Sequence, residues 1–147
     1  HMRYDLKTLK CTLASFECAT HSLDAVVQNS AASPGVLAAT LMIPDIVLGA
    51  LSCEIGMKTI IFIQESKETS GHELKDLFSK IPNSIQSQIK ESIKNKLSLT
   101  DSDFDSKLAS ISNAFIHWRY LYEKAGVSTI DLRFLNAFRA EIINRTK

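Results

Sequence analysis

Apolar residues along this chain recur mostly at three, four and seven positions, the repeat of a helix face rather than of a strand. Leu6, Leu9, Leu13, Phe16 and Leu23 trace such a face and predict a first helix over 5–28, with Ala14 and Ala19 filling between. Residues 29–35 read as a loop, because Ser30, Ser33, Pro34 and Gly35 all disfavour continuation. Residues 36–43 are apolar and open to two readings, a short helix or the approach to the next one. Pro44 suits a first helical turn, where its missing N–H is harmless, so the second long helix is expected over 45–65. That segment is apolar nearly all round and belongs at the centre of a bundle.

After polar residues 66–71, a short helix is expected over 72–81, with Leu74, Leu77 and Phe78 on one face. Residues 82–97 place Ile85, Ile89, Ile93 and Leu97 four apart. Lys90, Lys94 and Lys96 mark a face that reads as solvated. A connector over 98–103 leads to a helix over 104–124, striped by Leu108, Ile111, Phe115, Trp118 and Leu121 or Tyr122, with Gly126 as its C-cap. Asp101 or Ser102 is expected to cap it, since side-chain oxygens accept the unpaired N–H groups of a helix start. Ser128 and Asp131 suggest a capping box for a last helix over 129–144, faced by Leu132, Leu135, Phe138 and Ile142. No repeat or linker divides the chain, so a single all-α domain over 1–147 is expected. His1-Met2 reads as a cloning remnant.

Composition narrows the function classes without naming one. The 147 residues carry 17 Lys+Arg against 16 Asp+Glu, a balance that gives no global attraction to nucleic acid or anionic membrane. Cys11, Cys18 and Cys53 form no CxxC pair and lie in apolar-periodic segments. They read as buried free thiols of a cytoplasmic protein. Residues 36–63 resemble a membrane span in length, but Pro44, Asp45, Glu54 and Lys58 interrupt them, so a buried helix is expected and no membrane.

The informative positions are polar ones inside apolar stretches. Glu54 and Lys58 stand one turn apart in the most apolar helix and can pair on one face. Arg119 and Glu123 repeat that spacing, interleaved with His117, Trp118, Tyr120 and Tyr122, and His72 follows a glycine. The pattern predicts that Glu54, Lys58, Arg119 and Glu123 face each other across two helices, with His72 or His117 at the edge. Such a cluster is either an internal ion network that fixes helix register or a catalytic or ligand-binding site. Other chemistry is poorly supported. Asp101, Asp103 and Asp105 start like a calcium loop, but Ser106 and Ser112 stand where it needs Gly and Glu. No histidine pairing supports zinc, and Cys53 is read as core rather than nucleophile. No metal and no cofactor are expected.

Three stretches resemble the HEPN domain, a small helical bundle of prokaryotic toxins, defence systems and some eukaryotic proteins. They are Ala50-Leu51-Ser52-Cys53-Glu54-Ile55-Gly56-Met57-Lys58, Gly71-His72-Glu73-Leu74-Lys75-Asp76-Leu77-Phe78 and Phe115-Ile116-His117-Trp118-Arg119-Tyr120-Leu121-Tyr122-Glu123. The resemblance implies a bundle of five or six helices and a homodimer. It also implies a role in bacterial antiviral defence or in a toxin–antitoxin pair, through RNA or a protein partner. Active members carry an Arg, a spacer of four to six residues and then a His. Here none of Arg3, Arg119, Arg133, Arg139 and Arg145 has such a His. Ribonuclease chemistry would therefore need another arrangement, with Arg119 on phosphate, His72 or His117 in proton transfer, and Glu54 and Lys58 positioning them. The alternative is a scaffold or accessory domain without catalysis. A pocket for a small ligand beside the polar cluster is a third reading.

Overall fold

The computed structural model describes the backbone of residues 4–31, 36–112 and 130–147, with side chains at 4–29, 41–112 and 130–147. Among these residues the fold is all-α: six helices and no strand. They are α1 (Leu6–Ala31), α2 (Val36–Glu65), α3 (Leu74–Lys80), α4 (Asn83–Leu97), α5 (Asp101–Ser112) and α6 (Leu132–Asn144). The helical bundle expected from the apolar repeat is the architecture observed. The expected helix segment 113–124, Gly126 and Ser128 lie outside the described residues.

α2 runs through the middle and packs against α1, α6 and α3. Its Ile46, Ala50, Cys53, Met57, Ile60 and Ile61 are buried. By length and composition Leu41–Glu65 could cross a membrane, and 61% of its most apolar window is buried within the fold. On the α3–α6 side, Phe78, Phe104, Phe134 and Phe138 form a chain of ring contacts with centroids 5.4 to 5.9 Å apart. Such offset and edge-on pairs add to the burial of the rings themselves.

Several boundaries differ from expectation, each for a local reason. α2 begins at Val36, so Pro44 is inside the helix rather than in its first turn. Apolar residues on both sides favour one continuous helix over a break. His72 precedes α3 instead of opening it, because Glu73 is extended, at ψ 120°. α5 starts at Asp101, one turn before the expected residue. Its cap is Thr100 rather than Asp101 or Ser102: Thr100 Oγ1 accepts from Asp103 N–H at 3.1 Å, and Asp103 Oδ2 accepts from Thr100 N–H at 3.0 Å. α6 is capped by Asp131 itself, whose carboxylate accepts from Arg133 and Phe134 N–H. Lys107, 2.7 Å from the same carboxylate, holds its pKa below the usual carboxylate range, with the Phe134 N–H adding to the effect.

Two expectations about faces are corrected. Lys90 and Lys94 are not simply solvated. Lys94 Nζ lies 2.8 Å from Asp101 and Lys90 Nζ 3.4 Å from Asp105, tying α4 to α5 across their exposed edge. Cys11 and Cys18 are exposed, and only Cys53 is buried. α1 turns Leu13, Thr20 and Asp24 inward, which leaves the seven-residue spacing of Cys11 and Cys18 on the outer face. Leu6, Leu9, Phe16 and Leu23 of the expected stripe are only half-buried.

Candidate functional site

Glu54 sits on the inner part of α2 with 6% of its surface exposed. Lys58, one turn on, donates to Glu54 Oε1 at 2.8 Å, the pairing that the i,i+4 spacing predicts. The loop after α2 brings the third member. Ser66, at φ 52°, ends the helix, and Gly71, at φ 106°, turns the chain in a conformation that L side chains rarely adopt. His72 follows directly, and its Nδ1 lies 2.9 Å from the same Glu54 oxygen. Glu54 Oε1 is thus shared by an ammonium and an imidazole. Glu54 Oε2 is buried without a hydrogen-bond partner.

The N-terminal segment closes over the same loop. Tyr4 N–H donates to Glu68 Oε1 at 2.6 Å, and the Tyr4 hydroxyl donates to the Thr69 carbonyl at 2.7 Å. Tyr4, Lys58, His72 and loop residues 68–71 line an open recess of about 450 Å³. The His72 side chain is 60% exposed on its wall, against 8% for that of Glu54. A carboxylate beneath one ring nitrogen orients the ring plane and favours an Nδ1–H donor. Lys58 and Glu54 cancel each other's charge. The net charge of the triad is therefore that of the imidazole ring.

The structure thus brings together Glu54, Lys58 and His72 of the expected cluster. Arg119, His117, Tyr120 and Glu123 lie outside the described residues. Among the described residues no group of three or more His, Cys, Asp or Glu side chains could hold a metal ion. Burial pushes the Cys53 thiol well above its ordinary value, opposed by the nearby Arg139 charge, which makes it a poor nucleophile.

A second polar cluster was not foreseen. Where α1 crosses α2 and α6, Arg139 Nη2 donates to Asp24 Oδ2 at 2.8 Å, and Arg139 Nε stands 3.5 Å from Glu17 Oε2. Asp45 of α2 is buried in the same seam, where desolvation and then the neighbouring Asp24 carboxylate raise its pKa. Arg139, Asp24 and Asp45 are 6%, 9% and 4% exposed. Thr20 and Ser52 meet in the same seam at 3.4 Å between hydroxyl oxygens. The available signal was Asp24 on the inward stripe of α1, at the spacing 13, 20, 24. Arg139 lies 115 residues away in the chain, and nothing local links the two.

Compared with family models, with curated proteins and with solved structures, the chain matches none.

Proposed function

We propose that this chain is an atypical HEPN-like protein of bacterial defence or toxin–antitoxin type that binds RNA and acts on it at the His72 recess. The observation that carries the reading is the shared Glu54 oxygen. A buried carboxylate aims a largely exposed imidazole into an open recess and is itself neutralised by Lys58. An imidazole held this way can take a proton from a ribose 2′-OH or return one to a leaving oxygen. Glu54 and Lys58 are then positioning residues, and Arg119 of the HEPN-like WRY stretch is the candidate for the phosphate charge. A homodimer belongs to the same reading through the family resemblance, and a cytoplasmic location through the unpaired cysteines.

Cleavage and binding of single-stranded RNA by the full chain test it. His72→Ala is expected to lower the cleavage rate about 10²- to 10⁴-fold, the usual worth of a general acid or base. Arg119→Ala is expected to weaken binding and flatten its salt dependence. Glu54→Gln is expected to slow cleavage while leaving RNA binding in place, because the imidazole loses the carboxylate that orients it. Cleavage unchanged in His72→Ala would overturn the catalytic role.

The second reading, a scaffold acting through protein contacts, is favoured by the formal net charge of only +1. It predicts no salt-dependent RNA binding, together with partner capture that His72→Ala leaves intact.

A further inference from the structure

The seam between α1, α2 and α6 holds two buried carboxylates, Asp24 and Asp45, against one buried guanidinium, Arg139. Among the described residues these are the charged groups that meet there, Asp24 from α1 and Arg139 from α6 facing Asp45 of α2. Glu17 of α1 lies on the far side of the guanidinium. One cation cannot compensate two carboxylates removed from water, and neighbouring buried carboxylates favour a proton on one of them. Arg139 Nη2 donates to Asp24 at 2.8 Å, whereas Arg139 Nε, Arg139 Nη1 and Asp45 Oδ1 are buried without a hydrogen-bond partner.

We propose that α1 is a proton-held strap: a proton shared by Asp45 and Asp24 seats it on α2 and α6, and loss of that proton loosens it. α1 suits such a role. Among its described side chains, its fully buried residues are Leu13, Thr20 and Asp24, only one of them apolar. Its seating therefore combines the polar seam with the half-buried Leu6, Leu9, Phe16 and Leu23. Desolvation, followed by the Asp24 contact, raises the Asp45 pKa from 3.8 to about 7, against the pull of Arg139, so the transition falls near neutral pH. Tyr4, just ahead of α1, is hydrogen-bonded to Glu68 and Thr69 at the edge of the His72 recess. Loosening the strap would open that wall too. The proposal goes beyond the RNA reading and stands independently of it.

Amide hydrogen exchange over residues 13–27, corrected for intrinsic rates, tests it at pH 5.5 and pH 8.5. The wild-type chain is expected to lose protection there by about tenfold or more at the higher pH, the equivalent of at least one pKa unit of linkage. Asp45→Asn, whose amide donates to Asp24 as the protonated acid does, is expected to keep that protection. Comparing the wild-type chain with this variant subtracts every other titrating group. Identical pH profiles in both would overturn the proposal. Carbon NMR of the Asp45 carboxyl in the wild-type chain gives an answer even if the variant fails to fold. A midpoint about 7 supports the strap, and one near 3.8 overturns it.

Discussion

The two sides of α2 are held by opposite means. Towards α3–α6 it meets an apolar core of aromatic rings and isoleucines in which Phe104, Phe134 and Phe138 have no exposed surface. Towards α1 the contact is threaded with Thr20, Ser52, Asp24, Asp45 and Arg139. The first side draws stability from area removed from water and is indifferent to pH. The second confers register and charge complementarity at a desolvation cost, and it responds to protons. A single helix can thus belong to a permanent core on one face and a conditional contact on the other.

Breaking the core side should have the largest effect. Phe138→Ala removes a ring in contact with Phe78 and Phe134, and is expected to cost about 3–5 kcal/mol in denaturant unfolding. An intermediate loss is expected where α2 crosses α6. A Cβ on Gly56 would stand 2.5 Å from Ile142 Cγ2, so Gly56→Ala should cost about 1–3 kcal/mol, with Ile142→Ala partly rescuing it. On the seam side, Thr20→Val removes a hydroxyl bonded to the Phe16 carbonyl and close to Ser52. It should cost only about 1 kcal/mol.

The sharpest contrast is in pH. In the native chain Asp45 keeps its proton up to about pH 7, whereas the unfolded chain loses it near 3.8. The native state binds more protons between those values, so stability should fall as pH rises from about 4 to about 7 and level off above. Asp45→Asn should flatten that slope while Phe138→Ala merely lowers the whole curve. Equilibrium unfolding of both variants across this range checks it.

The core side was legible in the chain because its signals are local. Ile85, Ile89 and Ile93 announce a face by spacing alone, and Glu54 and Lys58 announce their pairing in the same way. The seam was hidden for the opposite reason. Asp24 interrupts an apolar stripe and reads as a gap, Asp45 follows a proline and reads as a helix start, and only the fold brings both to Arg139. His72 was recognised, but its shared carboxylate depends on how the loop turns, which no periodicity reports. The outward aim of Cys11 and Cys18 was misjudged because α1 selects its inner face partly through polar contacts.

That turn concentrates a great deal in one achiral residue. Gly71 meets no atom closer than 3.6 Å at its vacant Cβ position, so space is not what excludes a side chain there; the positive φ is. Substituting alanine should leave the molten-out temperature of the bundle nearly intact while swinging the imidazole off its carboxylate anchor. The aim of the recess and the durability of the scaffold would then be set by different residues, free to drift apart under selection.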